Sequence, residues 1–190
     1  MKTSLGPKPL AFTTPVWVVG SYDAGGNPNG MTASWAGICC SSPPCINVSL
    51  RKATYSFEGL MTRRAFTISV PSEKFLREAD YFGIASGRNT NKFEDTGLTP
   101  VKAGKVDAPY VEEFPLVLEC RVIHTLEIGL HTLFVGEILD IKAETDVLNA
   151  EGVPDIEKVR PFVYSPELRC YHGLGGEIGK AYDAGRRFAR

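Results

Sequence analysis

Two cations and a group of hydroxyl side chains lie close together in residues 49–56. Arg51 and Lys52 follow alternating apolar residues, and Thr54 and Ser56 come next, at a point where a helix can begin. The first turn of a helix has free N–H groups and a partial positive charge, which hold phosphate groups together with Arg and Lys side chains. The segment therefore predicts a phosphate site. Solvated surface cations beside a capping threonine are the alternative interpretation.

Two further polar segments are candidate sites. Residues 29–35 are mostly small, which would allow a flat ligand to approach the backbone closely, and the Asn29 amide could bind its polar edges. A hairpin with a buried Trp35 is the alternative for this segment. Residues 86–93 form a polar, basic stretch. Taken alone, that stretch indicates no more than a loop.

The pattern around these segments predicts an antiparallel β-protein. Short apolar or alternating runs are separated by clusters of Gly, Pro, Asn and Asp, which is typical of strands joined by turns. Strands are expected at residues 16–22, 31–40, 45–50, 64–70, 116–123 and 131–141. The first two should form a hairpin through the turn-forming residues 23–30, and the last two should pair as a long hairpin. A period of two places His131 in line with apolar residues of the last strand.

Two helices are expected beside the strands. The first covers residues 54–62 with Thr54 as its N-cap, and the second covers residues 72–82, where apolar residues recur at helical spacing before Gly83 ends it. The predicted fold is mainly β, a barrel or sandwich with a few peripheral helices. It forms one domain over residues 1–190, with a core at about 10–175.

The composition excludes several classes of protein. The 190-residue chain has 21 Lys and Arg against 22 Asp and Glu, so its net charge of −1 gives no general attraction to nucleic acid or to an anionic membrane. Its hydrophobic content of 43% is enough to fill one sizeable core. No apolar run approaches the roughly 18 residues of a membrane helix, and the N-terminus does not resemble a signal peptide. We therefore expect a cytoplasmic protein without nucleic-acid or membrane partners.

The five cysteines predict neither a disulfide framework nor a metal site. Their number is odd, and the chain contains no C-x-x-C motif and no Cys/His cluster with zinc spacing. Cys39 and Cys40 are adjacent, and neighbouring residues of a strand point to opposite faces. A thiol relay through these two residues is therefore not expected.

The polar segments, taken in chain order, resemble the flavin reductase-like, FMN-binding split-barrel family. The resemblance covers about residues 10–175 and rests on Pro15-Val16, Asn29-Gly30-Met31-Thr32-Ala33-Ser34, Ser41-Ser42-Pro43-Pro44, the turn from Arg51 to Ser56, Asn91-Lys92-Phe93 and the run from Gly129 to Glu137. It implies a split β-barrel, a Greek-key antiparallel barrel, that binds FMN. It also implies a homodimer with FMN near the subunit boundary.

The resemblance also implies which residues bind FMN. Asn29, Met31, Thr32, Ala33, Ser34 and Trp35 match the strand that lies against the isoalloxazine ring, and Ser49, Leu50, Arg51, Lys52, Tyr55 and Ser56 match the segment that grips the ribityl phosphate. Lys92 matches a cation near the phosphate or the flavin edge. His131 matches a hydrogen-bond donor facing the flavin, and Tyr164 matches a ring placed over the cofactor. Neither a catalytic residue nor a metal ligand is implied.

The resemblance leaves three redox or binding roles open. With a firmly bound FMN, the chain would be an electron-transfer protein between redox partner proteins, in anaerobic sulfur metabolism. With an exchangeable FMN it would be an NAD(P)H:flavin oxidoreductase, and without redox turnover it would be a flavin- or haem-binding module. A ligand-free barrel would leave Arg51, Lys52 and His131 unexplained as a set. The two ends, residues 1–14 and 165–190, have few core positions and could wrap a partner subunit.

Overall fold

The computed structural model describes residues 1–188. Its strands are β1 (Thr14–Pro15), β2 (Trp17–Tyr22), β3 (Pro28–Ala33), β4 (Ala36–Ser41), β5 (Pro44–Arg51), β6 (Ala65–Val70), β7 (Pro100–Lys102), β8 (Pro109–Val111), β9 (Leu116–Ile128), β10 (His131–Ala143), β11 (Phe162–Ser165) and β12 (Cys170–Gly173). Its α-helices are α1 (Ser56–Arg63), α2 (Leu76–Ile84), α3 (Lys92–Thr96) and α4 (Ile156–Val159). Within residues 1–188, no helix is long and apolar enough to cross a membrane.

Seven strands form the main sheet, in the order β3-β2-β6-β9-β10-β5-β4, and every pair in it is antiparallel. A three-stranded sheet, β1-β11-β12, and the β7–β8 pair complete the strands. The expected long hairpin is present as β9 and β10, and β10 also pairs with β5, which brings His131 opposite Arg51. The prediction of a mainly β, antiparallel fold is therefore confirmed.

Two apolar cores hold the helices against the sheet. The barrel interior contains the fully buried side chains of Ile46, Phe66 and Phe134, which come from β5, β6 and β10. A second core joins α2 and α3 to the outer side of β2 through Phe82 and Phe93, whose rings meet edge to face at 5.2 Å between centroids. Burying a phenylalanine contributes about 1.5–3 kcal/mol. The second core thereby fixes the end of α2 beside β3.

The predicted strand at residues 31–40 is wrong as one element. The chain makes β3 and β4, which lie at opposite ends of the sheet order, and it crosses between them at Ser34 and Trp35. The preceding turn is also shorter than expected, because β3 already begins at Pro28. Asp23 closes that turn through its carboxylate, which accepts a hydrogen bond from the Asn27 N–H at 2.8 Å.

The predicted helix ends also need correction. Thr54 is not the N-cap of α1, because the helix begins at Ser56 and Tyr55 occupies the N-cap position. Gly83 does not end α2, which continues to Ile84. The side-chain ammonium of Lys92 supplies the missing cap, since it donates to carbonyls at the end of the helix. Residues 73–75 form a separate 3₁₀ turn before α2.

Candidate functional site

A cavity of about 450 Å³ lies between the end of β3, the end of β5, the start of α1 and the end of α2. Fourteen of the fifteen residues predicted to bind the cofactor line this cavity: Asn29, Met31, Thr32, Ala33, Ser34, Trp35, Ser49, Leu50, Arg51, Tyr55, Ser56, Lys92, His131 and Tyr164. They come from six separate stretches of the chain. The volume falls within the range of roughly 300–1,000 Å³ that is usual for small-molecule sites.

The structure does not place Lys52 on the lining of this cavity. Its ammonium pairs with the Glu127 carboxylate at 2.7 Å, and its side chain is 61% exposed. Arg51 ends strand β5 and lines the cavity, whereas Lys52 is the next residue and turns away from it. Lys52 lies in the turn that follows β5, where its ammonium is held by Glu127 instead of facing the cavity.

The end of α2 and the turn after it form a wall of the cavity that sequence analysis missed. Phe82, Ile84, Gly87 and Arg88 lie there together with several neighbours. The basic character of residues 86–93 was a sequence signal that could have identified Arg88 as a site residue. No pattern in the sequence indicated that the helix end would meet β3, because this contact depends on the packing of Phe82 in the second core.

The cavity is lined by several cationic side chains. Arg51, Arg88, Lys92 and His131 line it, and none of the described lining residues is Asp or Glu. Within residues 1–188, none of the ion pairs includes Arg51, Arg88 or Lys92. Unpaired cations around one cavity favour an anionic ligand, with guanidinium groups well suited to phosphate.

Lys92 is the buried cation of the set. The residue is only 4% exposed. Its side-chain Nζ donates hydrogen bonds to the carbonyl oxygens of Phe82 at 3.1 Å and Ala85 at 3.2 Å. Burial lowers the pKa of Lys92 to about 8, because removal from water disfavours the charged form. An anion in the cavity would offset that cost.

A rigid polar wall faces these cations. The buried Asn29 amide donates to the Ser56 hydroxyl at 2.8 Å, and the Tyr55 hydroxyl donates to the Asp23 carboxylate at 2.8 Å. The hydrogen bond to Asp23 and burial raise the pKa of Tyr55, so the phenol stays protonated. Gly87 fits tightly against this wall, since an added Cβ would lie 2.5 Å from Asn29 Oδ1 and from the Tyr55 ring.

The lining as a whole fits a flavin nucleotide. Cations would hold a phosphate, the hydroxyl and amide groups would bind a polyol chain, and the apolar surfaces of Met31, Trp35 and Leu50 would lie along a flat ring. His131 stands at the start of β10 on the same cavity, where an imidazole can donate a hydrogen bond. Within residues 1–188, no group of three or more His, Cys, Asp or Glu residues is arranged to hold a metal ion.

Comparisons with known proteins agree with this geometry. The family model described as "Flavin reductase like domain" matches residues 10–169. The flavoredoxin of Desulfovibrio vulgaris (Miyazaki F) is 52% identical, covers 97% of this chain and 100% of its own, and superposes with a TM-score of 0.93. The flavoredoxin from Methanosarcina acetivorans is 28% identical, covers 99% of each chain and has a TM-score of 0.92.

A more distant structure shows the fold alone. A protein from Shewanella frigidimarina NCIMB 400 with a split barrel domain is 22% identical, covers 90% of this chain and 87% of its own, and has a TM-score of 0.81. The expected split-barrel fold is therefore confirmed. The family match and the structural neighbours together support a flavin-binding redox protein. The chain belongs to the flavin reductase-like domain family.

Proposed function

We propose that the protein binds FMN and serves as an electron carrier between soluble redox proteins. The observation that carries this proposal is the cavity itself, which has three cations, no acid among its described lining residues, and an apolar and hydroxyl-rich wall. One of the three cations is the buried Lys92. FMN has the matching chemistry, since it joins a phosphate to a polyol and a flat ring. The likeness to two flavoredoxins supports the carrier role. Participation in anaerobic sulfur metabolism rests on the same likeness, and the proposed cytoplasmic location rests on the sequence pattern alone.

The protein would fix the cofactor and set its environment. Arg51, Arg88 and Lys92 would hold the phosphate, while the wall around Asn29 and Ser56 would bind the ribityl chain. When bound, FMN supplies reversible electron transfer. His131 would donate a hydrogen bond to the ring and favour its negatively charged reduced form, and Trp35 and Tyr164 would shield the ring from water. In this proposal the flavin-binding unit is a single domain that includes the matched residues 10–169.

An NAD(P)H:flavin oxidoreductase is the second candidate function. The matching family is itself described as flavin reductase-like. In addition, a second cavity of about 550 Å³ adjoins the first and shares Thr54, Tyr55 and Arg88 with it. Lys52 and Arg88 line this second cavity together with Asp23 and Glu58, and the two cations would bind the phosphates of a nicotinamide donor.

Gel filtration followed by anaerobic mixing tests both functions. We expect the purified protein to be yellow and to retain added FMN through the column, because the cations would hold its phosphate and the polar wall would bind its ribityl chain. A colourless protein that releases FMN would contradict the cofactor assignment. The carrier further predicts that NADH and NADPH leave the bound flavin oxidised unless a partner protein is added. Rapid bleaching by either nucleotide alone would instead support the oxidoreductase, and reduction by no donor would support a binding module.

We also propose that the protein forms a homodimer through the tip of the β9–β10 hairpin. Leu126, Ile128 and Leu130 are 58%, 54% and 64% exposed there, next to His131 of the cavity. A cluster of exposed large apolar side chains is typical of an interaction surface. We expect analytical ultracentrifugation to show a dimer, and Leu126→Glu with Leu130→Glu to shift it to the monomer. The matched control is Ile156→Glu, an equally exposed position on α4 that should leave the dimer intact.

A further inference from the structure

Three cysteines meet on the hairpin formed by β4 and β5. Cys40 on β4 and Cys45 on β5 are direct cross-strand partners, and the strands are joined by the two-residue turn Ser42-Pro43. Cys39 is the extra residue of a β-bulge, because the register passes from Ile38 opposite Ile46 to Cys40 opposite Cys45. The two thiols that face each other are therefore Cys40 and Cys45. All five cysteines of the chain are free.

The backbone places this pair within reach of a disulfide bond. Directly opposed residues of antiparallel strands lie on the same face, with Cβ atoms about 4.5–5.5 Å apart. A disulfide needs Cβ atoms about 3.5–4.5 Å apart. A small adjustment closes the difference, and β4 can make it, because it is the edge strand of the sheet and pairs only with β5 there.

The two sulfurs differ in exposure, which sets their order of reaction. Cys40 is exposed, whereas Cys45 is only 3% exposed. Burial raises the pKa of the Cys45 thiol, and the neighbouring Cys40, Cys39 and Glu137 side chains raise it further. Cys120 lies deeper, and burial raises its pKa to about 12, which keeps it an unreactive thiol. An oxidant in solution therefore meets Cys40 first.

We propose that Cys40 and Cys45 form a redox-active dithiol that small soluble disulfides convert to a cross-strand disulfide. In the first step the Cys40 thiolate attacks one sulfur of the soluble disulfide, and a mixed disulfide forms as one thiolate leaves. In the second step Cys45 loses its proton and attacks the Cys40 sulfur, and the second thiolate leaves. The protein loses two electrons and two protons, and the soluble disulfide is reduced to two thiols. This site is separate from the proposed flavin cavity. Neither Cys40 nor Cys45 is among the described residues that line that cavity.

Glutathione disulfide is the probe, and the test uses the full chain with its cofactor as isolated. The background variant carries Cys39→Ser and Cys170→Ser, which removes the other two exposed thiols and leaves Cys40, Cys45 and Cys120. We expect its intact mass to fall by two hydrogen atoms with no glutathione attached, and its thiols titrated in denaturant to fall from three to one. Dithiothreitol should restore all three.

Two further variants separate the proposed pair from its alternatives. Adding Cys45→Ser to the background should stop the reaction at a stable adduct with one glutathione, because the second sulfur is missing. Adding Cys40→Ser, at an exposed position that should not disturb folding, should abolish the reaction. The proposal is overturned if the background protein keeps a glutathione adduct or does not react, or if the Cys40→Ser variant still loses two thiols through Cys45 and Cys120. These readouts do not require flavin binding, so their failure would leave the proposed function standing.

Discussion

Replacing Lys92 by methionine is expected to weaken FMN binding by about tenfold to a hundredfold, because hydrogen bonds to charged groups contribute about 1.5–3 kcal/mol. Lys92 is buried, lines the cavity and has a side chain of similar length to methionine, so the substitution removes the charge with little change in volume. Fluorescence titration of the flavin-free protein measures the effect. Circular dichroism of both proteins checks that the fold is kept, since Lys92 also donates to two carbonyls at the end of α2.

The pH dependence of FMN affinity is expected to report the protonation of Lys92. Burial lowers its pKa to about 8 in the flavin-free protein. Below that pH the amine is charged and holds the anion; above it, binding must take up a proton, so affinity should fall by up to about tenfold per pH unit. Lys92→Met should remove this decline. Riboflavin lacks the phosphate and should show no decline if Lys92 contacts that group, whereas a decline with riboflavin would assign Lys92 to the ring.

Lys52→Met is the matched control for charge. Lys52 is exposed and paired with Glu127, and it lies outside the cavity that Lys92 lines. We expect its replacement to leave FMN affinity and the pH profile unchanged. If Lys52→Met and Lys92→Met bind FMN equally, the assignment of the buried amine to the cofactor is wrong.

Gly20→Ala is expected to destabilise the protein by about 3 kcal/mol, the upper part of the usual range for overpacking a core. Gly20 lies within β2, between Gly30 of β3 and Thr67 of β6. A Cβ atom there would lie 1.9 Å from the Pro109 carbonyl oxygen and 2.4 Å from Thr67 Oγ1. The obstructing oxygen belongs to the backbone and already accepts a hydrogen bond from Thr67, so it cannot move aside cheaply.

Urea denaturation measures this effect, and Gly37→Ala is its control. Gly37 also lies within a strand, but a Cβ added there would meet nothing nearer than the Asn47 amide nitrogen at 4.0 Å. We expect the free energy of unfolding to stay the same or to rise by up to about 1 kcal/mol, since alanine loses less entropy on folding. Equal stability of the Gly20→Ala and Gly37→Ala proteins would show that β2 and the Pro109 segment do not pack as described.

The strands of the main sheet were largely predictable because their pattern is local, whereas the five strands outside it were not predicted: β1, β7, β8, β11 and β12. Alternation in the first half of β10 follows from the burial of one face, and the hairpin that it forms with β9 is confirmed. The break at Ser34 and Trp35 was not predictable, because it arises where the chain crosses between the two ends of the sheet. The end of α2 was misplaced for a similar reason. A lysine eight residues further along caps this helix, and no local signal reveals that contact.

By itself, the sequence determined the chemistry available to the site: a short run of cations and hydroxyls, small residues for a flat ligand and a histidine on a late strand. Only the tertiary structure decided which of these groups meet. It turns Arg51 toward the cavity and Lys52 away, buries Lys92 and brings Arg88 in. It also sets Cys40 opposite Cys45, whereas the sequence drew attention to the adjacent Cys39 and Cys40. The physical reason is that residue types are local properties, whereas side-chain direction and cross-strand register depend on how distant segments pack.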